Sequence, residues 1–305
     1  MKAGTNLEKV LTSGKFAVTA EAGPPKGTSP AVVLKKGELL RNCCDAANVT
    51  DNQTAIVRMS SLAGSVLLKQ QGVDPVMQIV CRDRNRLAIQ GDVLGAIALG
   101  VGNFLCLSGD HQKFGNHPTA KSVFDIDSIQ LIQTLKKMRD EKKFICDEDI
   151  SGEVPMFIGA AANPYADPFE FRVTRLAKKV KAGADFIQTQ AVYDVAKFAR
   201  WMEMAVDKGL DNKTHILAGV IPIRSAGMAR YMRDYVSGVS VPDEVVTRME
   251  QAENPKEEGA TIAVELIEQV KEIPGVHGVH IMAVGWEDIV SEIAKRAGLL
   301  PRPIL

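Results

Sequence analysis

Eight short apolar segments recur along the chain, and each is followed by a stretch whose apolar residues return at helical spacing. The strand-like segments fall at 16–20, 46–50, 76–81, 103–107, 155–161, 185–189, 215–220 and 278–282. None alternates apolar with polar, as a strand with one wet face would. Segments of this kind are buried on both faces, as in a parallel sheet covered by helices. Helical spacing is read over 31–40, 56–71, up to Leu99, 126–141, 168–182 and 195–208. Three more helical stretches follow the seventh strand (225–236, 242–252 and 257–272), and a last one covers 286–297. Asn85 or Asp83 is placed to cap the helix ending at Leu99. A doubly wound sheet and a closed barrel both satisfy this order. The count of eight, the 305-residue length and the lack of a composition break favour a single (β/α)8 TIM-type barrel over residues 1–305.

Charge excludes several classes of partner. Lys+Arg and Asp+Glu are both 37, so nothing basic invites nucleic acid or an anionic membrane. The first residues lack an apolar leader, and no apolar run is long enough to span a bilayer, which predicts a soluble, cytoplasmic protein. The five cysteines form no C-x-x-C pair, and Cys81 and Cys106 sit in apolar runs, so no metal site is expected of this chain alone. His277 and His280, three apart on a strand, point to opposite faces and make a poor ligand pair. Gly95, Gly100 and Gly102 lie in and after a helix and read as its stop, not as a phosphate loop. The acidic run 147–149 reads as a wet surface. Trp201, Met202 and Met204 read as core, with an oligomer interface as the alternative.

In such a barrel, chemistry sits at the C-terminal ends of the strands. Those ends carry Glu21, Thr50 with Asp51, Gln78 and Arg82, Asp110, Asn163, Gln188 with Gln190, Arg224 and the Gly285-Trp286 turn. The ring suits an uncharged, heteroatom-rich ligand. Two acids permit two roles: one in a dry pocket, its pKa raised, donates a proton, and the other, hydrogen-bonded, stays ionised. Glu21, beside Gly23 and the pair Pro24-Pro25, is the candidate donor; a carboxylate capping loop N–H groups is the alternative. Asp110 follows Gly109, where a planar ligand can approach the backbone closely.

In this order on these strand ends, the motifs resemble the methylenetetrahydrofolate reductase family. They are Val18-Thr19-Ala20-Glu21 with Pro24-Pro25, Asn48-Val49-Thr50, Leu107-Ser108-Gly109-Asp110 and Ala161-Ala162-Asn163-Pro164. The segment 179–190 with Asp194, then Gly219-Val220-Ile221-Pro222, then Gly278-Val279-His280 extend the match over nearly the whole chain. The resemblance implies a flavin barrel in which reduced flavin converts 5,10-methylenetetrahydrofolate to 5-methyltetrahydrofolate. It implies Glu21 as general acid and Asp110 between flavin and pterin. Gln190, with Gln188, would contact the pterin. Thr50, Gln78, Gly109, Asp110, Ala161, Asn163 and Lys179 would line the flavin site, with Lys179 toward the phosphates, although a lysine in the run 178–181 is also an ordinary wet helix face. FAD is the family default, and FMN stays open.

Departures are equally informative. The aromatic pair after the first-strand acid is Ala22-Gly23, and an arginine common before Gly-Asp is Ser108. A flavin-packing tyrosine is Asn163, a histidine is Gln78, and the aromatic that backs nicotinamide falls in 225–227. At the eighth strand Gly285-Trp286 replaces an Asn-Arg pair. These changes resemble the short anaerobic branch, which implies an iron–sulfur or zinc partner subunit as electron donor in place of NADH, within a homo- or hetero-oligomer. Two other readings stand beside this one: a pterin-binding barrel methyltransferase without flavin, and a non-catalytic barrel subunit of a larger complex.

Overall fold

The computed structural model describes residues 1–236 and 238–305. Eight parallel strands close into a barrel in chain order, with β8 (Val276–Ile281) returning to pair with β1 (Ala17–Glu21). Between them run β2 (Ala46–Val49), β3 (Pro75–Val80), β4 (Asn103–Leu107), β5 (Phe157–Ala162), β6 (Phe186–Ala191) and β7 (His215–Val220). The sequence placed all eight, because residues such as Val18, Ala20, Val49, Ile79 and Ile158 face the helix layer and are fully buried.

The helices that follow the strands are α2 (Ala31–Leu40), α3 (Ser61–Gln70), α4 (Arg86–Ala98), α5 (Ser128–Asp140), α6 (Phe169–Ala182) and α7 (Val195–Asp207). Three helices, α8 (Ala226–Tyr235), α9 (Asp243–Gln251) and α10 (Pro255–Lys271), separate β7 from β8, and α11 (Ile289–Arg296) ends the series. Asn85 rather than Asp83 caps α4, its side chain accepting from the Leu87 and Ala88 amides at 3.1 Å. Trp201 and Met202 are fully buried, as core residues should be.

Two differences from expectation bear on the two ends of the barrel. The helix expected from residue 56 begins at Ser61, where the Ser60 hydroxyl accepts from the Ala63 amide. The stretch before it carries left-handed backbone at Asn52, Thr54 and Ala55, so the chain turns back over the barrel mouth before a helix can start. The second difference is α1 (Asn6–Thr12), which the sequence reading passed over. Its Leu7, Val10 and Leu11 join Ala17, Val76, Leu105, Phe157, Phe186 and Leu217 in one apolar cluster that closes the N-terminal end of the barrel.

Because side chains alternate along a strand, each strand contributes to the interior every second residue. Above Ala17, Ala46 and Phe186 come Thr19, Asn48 and Gln188, and above these Glu21, Thr50 and Gln190. Gly159 stands between Phe157 and Ala161 on β5; a side chain there would collide with the Phe186 ring, 2.2 Å from an added Cβ. The middle layer is polar and self-satisfied. Asn48 donates to Gln188 Oε1 at 2.6 Å, Gln188 Nε2 donates to Thr19 Oγ1 at 3.1 Å, and Thr19 Oγ1 lies 3.0 Å from His280 Nδ1. Burial drives the His280 pKa down to about 3, so the ring is neutral. This layer is the floor of the cavity above.

Candidate active site

Over that floor the C-terminal mouth opens into a cavity of ≈ 330 Å³. Glu21, Thr50, Gln78 and Gly109 line it, as do Asp110, Ala161, Gln188 and Gln190. Six of these eight were expected from the strand ends, and Gly109 and Ala161 from the family resemblance. Asn163 and Lys179 instead line an adjoining cavity of ≈ 290 Å³ with Arg172 and Arg175; Ala161 and Gln190 belong to both spaces.

Several acids crowd the mouth, and arginines consume Asp51 and Asp83. Asp51 is buried, takes two bonds from Arg84 (2.6 and 3.2 Å) and accepts the Val80 amide at 3.0 Å. Asp83 takes Arg82 Nε and Nη2, both at 2.7 Å. Arg82 is itself buried, and it also donates to the Asp110 carbonyl at 2.9 Å and the Asn52 carbonyl at 3.2 Å. It thereby ties together the loops after β2, β3 and β4.

Glu21 and Asp110 occupy different surroundings. Glu21 is 7% exposed, and among the described residues its carboxyl takes a hydrogen bond only from the Gln53 amide, at 3.4 Å. Burial, partly offset by Gln53 and Lys36, lifts its pKa to about 7. Asp110 is exposed. Among the described residues its carboxylate accepts no hydrogen bond, so the expectation of a hydrogen-bonded partner acid is corrected: exposure to water distinguishes it from Glu21. Gly109 reaches this turn with φ +89°, a conformation that glycine adopts without strain.

Gln190 is aimed by a bulge. The β6–β7 register slips between Gln188 and Ala191, the Thr189 hydroxyl accepts the Gly219 amide at 2.9 Å, and an added Cβ at Gly219 would lie 2.3 Å from the Thr189 carbonyl. Bulges beside active sites redirect single side chains in this way. The Gln188 amide, by contrast, is taken up by the floor. Asn163 spends its side-chain oxygen on the Tyr165 and Ala166 amides. Arg224 leaves the ring: its guanidinium binds the Gly285 carbonyl at 3.1 Å, and Trp286 packs against the core.

Lys179 is not a wet helix-face residue. Its ammonium donates to the Ala161 carbonyl at 2.5 Å, and burial, then the neighbouring Arg175, lower its pKa to about 8. This half-buried lysine shares its cavity with two arginines, so the lining there is cationic. The sequence profile for methylenetetrahydrofolate reductase matches residues 6–298. The chain belongs to that family.

Methylenetetrahydrofolate reductase 1 of Schizosaccharomyces pombe is 29% identical over 75% of this chain, which corresponds to 36% of the yeast protein. The chain thus spans well under half the length of that relative. The 5,10-methylenetetrahydrofolate reductase of Pectobacterium carotovorum is 22% identical over 76% of this chain and 72% of its own length. A solved structure with TM-score 0.66 and 15% identity covers 95% of this chain and 98% of its own. It is an uncharacterized protein from Clostridium thermocellum described as binding two copies of 5-methyl-5,6,7,8-tetrahydrofolic acid. In this member of the methylenetetrahydrofolate reductase family, the residues whose part was missed from sequence are those that act on others: Lys36, Gln53, Arg58, Glu287 and His280. His280 had a signal in its motif, but weighing it only as a metal ligand hid it.

Proposed function

We propose that this chain reduces 5,10-methylenetetrahydrofolate to 5-methyltetrahydrofolate with a bound flavin. The observation that carries the reading is Glu21: a buried carboxyl whose pKa lies near 7, lining one cavity with Asp110 and Gln190. A general acid works best when it titrates near the operating pH.

The residues fit a flavin in two respects. Thr50 Oγ1 lines the cavity, is buried, and has no hydrogen-bond partner among the described residues, so it awaits a polar ligand atom. Arg172, Arg175 and Lys179 provide an anion compartment for the flavin phosphates, reached from the main cavity past Ala161 and Gln190. When bound in reduced form, the flavin supplies the hydride. The chain's own residues do the rest. Gln190 hydrogen-bonds the pterin edge. Glu21 gives its proton to N10 of the folate as the C–N10 bond of the five-membered ring breaks, leaving the N5 iminium carbon to be reduced to methyl. Exposed Asp110 orients the pterin and offsets the cationic iminium.

FAD is the expected flavin, with FMN as the alternative. The aromatic-poor mouth supports electron delivery by a partner subunit carrying iron–sulfur or zinc centres. This chain's cysteines are dispersed, with Cys43, Cys44, Cys81 and Cys106 buried and Cys146 exposed.

The deciding experiment is anaerobic addition of 5-methyltetrahydrofolate to the oxidised, flavin-loaded protein. Bleaching of the flavin band is expected. A band that persists removes the folate, and a protein that cannot be loaded with flavin leaves the methyltransferase or scaffold. A second expectation concerns Lys179→Met. The wild-type chain should bind FAD or FMN far more tightly than riboflavin, which lacks phosphate. The variant should weaken the phosphorylated flavins about 10- to 100-fold, the worth of a charge-assisted hydrogen bond, and leave riboflavin unchanged. Equal weakening of all three by isothermal titration would remove Lys179 from the phosphates.

A further inference from the structure

The loop that follows Glu21 contains two consecutive prolines, which have no N–H, so it is anchored by its carbonyls. Lys36 Nζ on α2 donates to the Gly23 carbonyl at 2.8 Å. Arg58 Nη1 donates to the Pro24 carbonyl at 3.2 Å, and the Met59 amide donates to the Pro25 carbonyl at 2.9 Å. Lys36 also pairs with Glu287, from the turn after β8, at 2.6 Å. Both side chains of that pair are largely shielded, at 18% and 10% exposure, where an ion pair is screened little by solvent.

A carboxylate placed next to a catalytic acid is an unusual choice for a simple loop fastening. It repels the charged form of the acid, and the lysine between the two loops, with Arg58, offsets it. The groups that act on the Glu21 carboxyl are Gln53 from the β2 loop, Lys36 from α2, Glu287 from the β8 turn and Arg58 from the segment before α3. Two cations and one anion thus face one carboxyl.

We propose that Lys36 and Glu287 are positioning residues for Glu21, a matched charge pair that laces the β8 turn to the β1 loop and balances the charge around the acid. This rests on the reading of Glu21 as the acid. Neither residue is among those lining the cavity; each acts through the electrostatic surroundings of Glu21.

The test is a charge cycle. Glu287→Gln leaves the Lys36 and Arg58 charges unopposed, so Glu21 ionises more readily and the alkaline limb of folate-dependent flavin oxidation moves about one pH unit toward acid. Lys36→Met leaves Glu287 opposed by Arg58 alone and moves the limb toward alkali, by up to about one unit. The double variant Lys36→Met/Glu287→Gln returns close to wild type. A mere loop staple predicts lower melting temperatures with no opposed shifts, and that result overturns the proposal. Should K36M fail to fold, the isosteric E287Q decides alone: a limb that stays in place rejects the proposal. Infrared difference spectra of each variant against its Glu21→Gln counterpart follow the Glu21 carboxyl directly, without flavin or folate. Opposed shifts there uphold the charge pair even if Glu21→Gln proves active, an outcome that would sink only the acid assignment.

Discussion

Glu21→Gln is expected to lower folate-dependent flavin oxidation by about a thousandfold and, at the same time, to make the protein more stable above neutral pH. The first half follows from removing a positioned proton donor, worth roughly 10²- to 10⁴-fold. The amide keeps size and hydrogen bonding, so folate should still bind and the loss should appear in the rate of a single turnover. The second half follows from linkage. The folded-state pKa of about 7 lies above the ordinary 4.5. Between those values the folded chain holds a proton that the unfolded chain has released, so stability falls as pH rises through that window. Above pH 7 the full penalty applies, on the order of 3 kcal/mol for a shift of this size. Glutamine carries none of it. Urea unfolding at pH 8.5 and pH 4.5 checks this: a gain at the higher pH that vanishes at the lower. Equal stability of both proteins at both pH values would mean that Glu21 is not held protonated by burial.

This coupling explains why the site was only partly legible in the sequence. Strand ends are periodic objects, so Glu21, Thr50, Gln78, Asp110, Gln188 and Gln190 could be brought to one mouth by counting. What each does there depends on neighbours from distant parts of the chain. Nothing local to Asp51 says that Arg84 will neutralise it, or that Arg82 will hold the Asp110 carbonyl. Lys36 and Glu287 meet only when β8 closes on β1. Gln188 and Gln190 look equivalent in sequence, yet a bulge aims one into the mouth while the floor network absorbs the other. The short α1 was legible in principle from Thr5 as cap and the spacing of Leu7, Val10 and Leu11. Residues 56–60 were misread because apolar spacing persists through a segment whose preceding turn is left-handed.

The barrel interior should also make this protein acid-labile, and His280 should be the largest single cause. Its ring is buried in the polar floor beside Thr19 and Gln188, and burial lowers its pKa from 6.5 to about 3. At the opposite end of the barrel, His215 is lowered to about 4 by burial and then by His277, whose own pKa burial also lowers; their rings meet edge-on at 5.2 Å. For a depressed base the sign is opposite to that of Glu21. Below pH 6.5 the unfolded chain takes up protons that the folded chain refuses, so stability falls as pH drops toward 3. Each such histidine steepens the fall by about 1.4 kcal/mol per pH unit, and at pH 4 His280 alone amounts to roughly 3 kcal/mol. Glu21 works against this only down to its ordinary pKa of 4.5, leaving the three histidines unopposed by it below that. His280→Gln can still accept a hydrogen bond from Thr19 but cannot titrate. Its unfolding free energy, followed by urea titration from pH 7 to pH 4, should decline less steeply than wild type by about one proton's slope. If the two curves run parallel, His280 is not the neutral buried base that the floor geometry requires, and the acid limb belongs to His215 and His277.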